Sequence, residues 1–160
     1  MARGKGQRTE PALRSNAPTV AGTLNAVLSD TYVLMMKTQA SHWCARGSNF
    51  IGLHKLTEEQ YAELFQAVDD IAERVRAIGG QPPLSLAQML DHASLNEVDS
   101  IGSTDSAFLM LATHNEALAR IAQEAAEQAE ELEDPATHDL LVDRSAAHDK
   151  AAWLLRSHLT

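Results

Sequence analysis

Residues 61–80 read YAELFQAVDDIAERVRAIGG. The apolar side chains Tyr61, Leu64, Val68, Ile71, Val75 and Ile78 step by three and four, the period of one buried face on a long α-helix. Gly79 and Gly80 end it, since glycine readily takes the left-handed conformation found just past a helix. Upstream, Gly47, Ser48, Asn49 and Gly52 supply loop chemistry, so a break is expected over residues 46–52. A first helix before that break is marked by Val20, Leu24, Val27, Leu28, Leu34 and Met35. It is expected to start at Pro18 in its first turn, after Asn16, and to run to about Cys44.

Downstream comes QPPLSLAQMLDHASLNEVDSIGST, residues 81–104, too long for a tight turn. Its centre, Ser85 to Leu90, predicts one short helix capped by Ser85. A third long helix is expected from Thr104 to Leu132, with Leu111, Leu118, Ile121 and Ala125 inward. Asp134–Pro135 marks a restart. The fourth runs to about His158, with Leu140, Ala147, Ala151 and Leu154 on one face. Four long helices with a long link between the second and third make an all-α, ferritin-like four-helix bundle, since up-down-up-down bundles use short loops throughout.

The bulk numbers agree with this reading. At 160 residues one domain is expected, with 1–17 as a basic tail and 18–160 as the bundle. Aromatic residues make up only 4%, which favours helices packed with Leu, Ala, Val and Ile over a sheet sandwich. Cys44 stands alone, so no intrachain disulfide can form. The N-terminus lacks the apolar core of a signal peptide, and no run of about 18 apolar residues exists. A cytoplasmic protein is the expectation. Net charge is −9, yet the tail carries Arg3, Lys5, Arg8 and Arg14 against Glu10, which leaves −12 on the rest. Such a body repels nucleic acid and attracts cations. The tail alone invites DNA phosphates, or is simply solvated.

Candidate chemistry concentrates in His42, His54, Asp69 and Glu73. No Glu-x-x-His or Asp-x-x-His occurs, which argues against the usual di-iron centre inside such a bundle. A zinc site, a phosphate loop and a nucleophile elbow also lack their signatures. With Val68 as zero, helical geometry places His54 at about 40°, Glu58 at about 80°, Asp69 at about 100° and Glu73 at about 140°. All lie on one flank. Asp69 and Glu73, at i and i+4, can reach one cation together. His54 and Asp69 are separated by roughly 22 Å along the axis and cannot meet on one ion within one chain. Two copies packed antiparallel about a two-fold axis would bring the His54 end of one against the Asp69–Glu73 end of the other, with His42 joining from the His54 side. Two imidazoles and two carboxylates suit iron(II) better than magnesium or calcium. The same spacing is also what a solvated helix face and a structural histidine carry, and the residues alone leave both readings open.

The stretch SHWCARGSNFIGLH, followed after fourteen residues by DDIAERVRAIGG, resembles the Dps family of ferritin-like proteins. The pattern matches at His42, Trp43, Gly47, Phe50, His54, Asp69, Glu73, Arg74 and Gly79–Gly80, and the helix layout and DKAAWLL segment extend it over about residues 18–160. The resemblance implies a dodecamer, a hollow cage of twelve subunits. It implies ferroxidase sites at two-fold interfaces, with His42 and His54 from one chain, Asp69 and Glu73 from the other, and Glu58 as a supplementary acidic ligand. It implies oxidation of ferrous iron by hydrogen peroxide, storage of the ferric mineral and protection of DNA from oxidative damage. Trp43 falls where relatives often carry a tryptophan near the iron; its role is packing or electron donation, with packing favoured. Gln39 stands where many relatives carry lysine. The tail is less basic than a dense lysine cluster, so the second reading, a nucleoid-associated protein compacting DNA through Arg3, Lys5, Arg8 and Arg14, rests on many weak tails acting together. Glu130, Glu131, Glu133, Asp134, Asp139 and Asp143 form either a solvated corner or a pore lined by carboxylates. His92, His114, His138, His148 and His158 are expected to be structural or surface residues.

Overall fold

The computed structural model describes residues 19–159. The tail and Pro18 lie outside the described residues. Five helices follow in order: α1 (Val20–Cys44), α2 (Phe50–Ala77), α3 (Leu86–His92), α4 (Thr104–Glu131) and α5 (Pro135–Arg156). Among the described residues there is no strand. The short α3 sits in the link between α2 and α4, as the loop chemistry predicts.

Each boundary has a local cause. Thr19 caps α1, its hydroxyl accepting from Gly22 N at 3.1 Å, so the helix starts two residues later than Pro18 suggests. At the end of α2, Gly79 has φ 81°; Gly80 N donates to Val75 O (2.8 Å) and Gly79 N to Arg76 O (3.0 Å). These bonds satisfy the last carbonyls of the helix. Gly80 also admits α1: a Cβ there would sit 2.8 Å from the Cβ of Ala21. The end of α4 repeats the motif with Asp134 N on Ala129 O (2.9 Å), but the left-handed position is filled by Glu133 at φ 57°. Asp134 then caps α5, accepting from Thr137 N and Thr137 Oγ1 (3.1 and 2.6 Å), with Pro135 in the first turn.

One expectation shifts at the start of α2. Gly52, expected in the loop, lies inside the first turn of the helix, where a Cβ would clash with Asn49 Oδ1 and come within 3.2 Å of His158. Its smallness serves close packing against the Asn49 and His158 side chains rather than a turn.

Helix α1 packs on α2, α3 and α4, and α4 packs along α5. Buried alanines of α4 (Ala107, Ala112, Ala119, Ala122, Ala126) remove the bulk that would hold these helices apart. One apolar cluster gathers Leu24, Leu28, Ile71, Val75 and Leu141; a second gathers Leu34, Leu53, Leu64, Phe108 and Leu155. The face of α5 differs by one position from the sequence expectation. Leu140, Ala147, Ala151 and Leu154 are half-buried, whereas Leu141, Arg144, His148, Ala152 and Leu155 are buried. Two of these five are polar, so hydrophobicity alone hides the true stripe.

The long link is pinned by a buried carboxylate. Asp30 of α1 accepts from Ser94 N (2.7 Å), Ser94 Oγ (2.7 Å) and Leu95 N (2.8 Å). Asn25 Nδ2 donates to Gln81 O at 3.0 Å. These bonds hold the crossover against α1 and leave the outer flank of α2 uncovered.

Candidate metal centre

His42 stands in the last turn of α1 and His54 in the second turn of α2, across the short loop 45–49. Thr104 Oγ1 anchors that loop to the start of α4 through Arg46 O (2.6 Å). The two imidazoles stack with centroids 3.8 Å apart and planes 19° from parallel. His42 Nδ1 donates to His54 O at 2.8 Å, and His54 Nδ1 donates to His42 O at 3.2 Å. A carbonyl only accepts, so each ring carries a proton on Nδ1, and the tautomer these bonds select has its lone pair on Nε2. Fixing one nitrogen by a backbone carbonyl frees the other for a metal. His42 O lies at the end of α1, where it accepts only a long bond from Ala45 N (3.4 Å), and the His54 ring supplies a second donor.

Aromatic neighbours hold the pair from both sides. Phe50 stacks on His54 at 4.9 Å, and Tyr61 meets His42 edge-on at 5.3 Å. Tyr61 was read only as part of the buried stripe. Its position seven residues after His54, two turns along the same face, is the signal that places it beside the histidines.

Asp69 and Glu73 lie exposed on α2, one turn apart. Neither makes a side-chain hydrogen bond or ion pair to any described residue. Glu58, also exposed, pairs with Lys55 at 3.3 Å. Among the described residues, no three His, Cys, Asp or Glu side chains converge within the chain on a place for a metal ion. His54 and Asp69 share one uninterrupted helix, so the roughly 22 Å between them is a rigid distance.

The flank carrying these residues also shows large apolar side chains. Ile51 and Phe65 are 64% and 66% exposed, and helical geometry puts them at about 100° and 60° on the scale above, among His54, Glu58 and Asp69. Trp43 is 62% exposed, so it packs on little within its own chain.

The acidic corner is less uniform than the sequence suggests. Asp134 is committed to the α5 cap and to Arg74, whose Nη2 lies 2.6 Å away. Burial raises its pKa, but the bonds from Thr137 and the Arg74 charge outweigh burial and hold it below the ordinary aspartate value. Asp139 pairs with His138, while Glu130, Glu131, Glu133 and Asp143 are exposed. His148, in contrast, is buried. Its Nδ1 donates to Asn115 Oδ1 at 2.9 Å, and burial, with the Arg144 charge, lowers its pKa to about 3. It is structural.

Four long helices, a crossover carrying a short helix and an uncovered α2 flank define a ferritin-like protein. The Ferritin-like domain model matches residues 21–160. The chain belongs, within that class, to the Dps family. It is 34% identical to the DNA protection during starvation protein of Brevibacillus brevis, over 88% of this chain and 94% of that one. It is 36% identical to an uncharacterized low temperature-induced protein of Nostoc sp., over 88% and 79%. The X-ray structure of Dps from Listeria monocytogenes superposes with a TM-score of 0.86 at 30% identity, covering 90% of this chain and 95% of that one.

Proposed function

We propose that this chain stores iron and protects DNA as a Dps-type cage, oxidising ferrous iron with hydrogen peroxide at sites shared between two subunits. His42 and His54 of one chain and Asp69 and Glu73 of its partner would hold the iron, with Glu58 at the edge. Each ferrous ion gives one electron; the O–O bond of one peroxide breaks, takes up two electrons and two protons, and leaves as water. The protein binds iron as substrate, and the mineral remains inside an assembly of twelve chains.

The observation that carries this reading is the pair of carbonyl-fixed imidazoles. Both protons sit on Nδ1, both lone pairs sit on Nε2, and neither needs reorganisation to accept a metal. The near-parallel rings, 3.8 Å apart, keep the two imidazoles side by side at one end of the flank. The exposed flank supports the two-fold arrangement. The midpoint between His54 and Asp69 falls at residues 61–62, and exposed Phe65 lies within about one turn of it. An apolar side chain there gains by meeting a second copy.

Stopped-flow oxidation of ferrous iron by peroxide tests the assignment. Asp69→Ala with Glu73→Ala should abolish the fast phase while the assembly keeps its size. An unchanged rate would overturn the site. The DNA-compacting reading, through the tail, is separated by a gel shift at low salt.

A further inference from the structure

Among the described residues, α1, α3, α4 and α5 each open on a side-chain cap: Thr19, Ser85, Ser103 and Asp134 accept a bond from a backbone N–H of the first turn. Helix α2 does not. Asn49 is a residue type that caps well, yet its side chain makes no such bond. The helix start that carries Phe50 and His54 is therefore not fixed by a cap of its own. The far end of the chain lies against it. His158 Cε1 stands 3.2 Å from where a Cβ of Gly52 would be, so the missing side chain leaves room for the ring. The same ring stacks on Phe108 of α4, with centroids 4.7 Å apart and planes 7° from parallel. Phe108 is fully buried, so the ring rests on close-packed core. Leu159 packs on the apolar cluster that holds Leu53 and Phe108. His158 N on Leu155 O (3.2 Å) and Leu159 N on Arg156 O (3.0 Å) keep this last turn in shape.

We propose that His158 is a positioning residue for the imidazole half of the shared iron site. Held between Phe108 and Gly52, its ring sets where the first turns of α2 stand, and so where His54 meets the His42 carbonyl and presents Nε2. The inference rests on the shared-site reading above. His158 touches no iron; it acts through the backbone from Gly52 to His54. The chain end does for α2 what a capping side chain does for the other helices. Such coupling is reciprocal: a metal held by His54 holds the chain end in turn.

Optical titration of the assembled full-length protein with cobalt(II), without oxidant, tests this. The cobalt absorption lost in Asp69→Ala with Glu73→Ala defines the shared site. His158→Ala should weaken cobalt there about tenfold, the scale on which residues behind a metal ligand act, with the assembly size unchanged. His158→Phe, which keeps a flat ring on Phe108, should bind as the natural protein does. A second measurement needs no change at His158: cobalt should slow hydrogen exchange at the His158 and Leu159 amides of the natural protein, and not in the acid-deficient variant. Should His158→Ala fail to assemble, the exchange measurement decides alone. If the acid-deficient variant loses no cobalt absorption, the shared site falls and this proposal with it. If it does lose it, the clamp alone is overturned by unchanged affinity in His158→Ala, by a His158→Phe as weak as His158→Ala, or by unaltered exchange at the two amides.

Discussion

Mixing two inactive variants distinguishes a shared site from any site within one chain. His54→Ala removes an imidazole, and Asp69→Ala with Glu73→Ala removes both carboxylates. Because α2 runs unbroken from Phe50 to Ala77, the two halves are fixed roughly 22 Å apart and cannot fold back on each other. In a two-fold dimer each site takes its histidines from one chain and its acids from the other. A dimer of one His54→Ala chain with one acid-deficient chain therefore holds one doubly broken site and one intact site. Equal random mixing makes half of all dimers mixed, so about one quarter of the wild-type sites should return. The variants are dissociated, mixed and reassembled, with mixing confirmed by native mass spectrometry. The initial rate of ferrous oxidation by peroxide is the readout. Each variant alone should be near zero and the mixture near one quarter of wild type. A mixture as inactive as its parents would refute the shared site, since intrachain sites cannot be rescued by mixing.

The other predictions concern the fold and the tail. His148 is neutral when folded, with a pKa of about 3 against about 6.5 unfolded. Its stabilising contribution is present above the unfolded value and is lost as pH falls towards 3. The cost between pH 7 and pH 5 is on the order of 2 kcal/mol, and His148→Gln should flatten that part of a melting-temperature profile; an unchanged slope would contradict the assignment. Asp30→Ala should destabilise the chain by about 3 kcal/mol, because two backbone donors and a hydroxyl lose a charged acceptor. Hydrogen exchange should then quicken at the Ser94 and Leu95 amides, and unaltered protection there would show that another contact holds the link. Glu133→Gly should stabilise by about 1 kcal/mol in a denaturant titration, since Glu133 occupies a left-handed conformation; no gain would mean its side chain offsets the strain. Removing residues 1–17 should abolish any low-salt retardation of DNA, and absence of retardation by the full-length assembly would end the DNA-compacting reading.

The helix count and order were legible because breakers coincide with changes in apolar period: Gly79–Gly80 after Ile78, and Asp134–Pro135 after Leu132. The face of α5 was not, because Arg144 and His148 occupy buried positions that a hydrophobic pattern skips. Gly52 misled for a related reason: loop and packing glycines look alike in sequence. At the candidate site, the helix positions of His54, Glu58, Asp69 and Glu73 and the span between them were readable from spacing alone. The reciprocal ring-to-carbonyl bonds were not, since they depend on how the loop 45–49 turns α2 back along α1. Equally hidden was the Asp134–Arg74 pair, which removes one carboxylate from a cluster that otherwise looks uniform.

In the shared site proposed above, the clasp between His42 and His54 divides the work of the two halves. The imidazole half is wedged between Phe50 and Tyr61 and stitched to two backbone carbonyls within its own chain. The acidic half, Asp69 and Glu73, consists of exposed side chains bonded to no described residue. Rigidity and charge are thus kept on opposite ends of one rod. In that proposed site the clasped end would template geometry, the exposed acidic end would catch a passing cation, and the encounter of two rods would join these properties in one place.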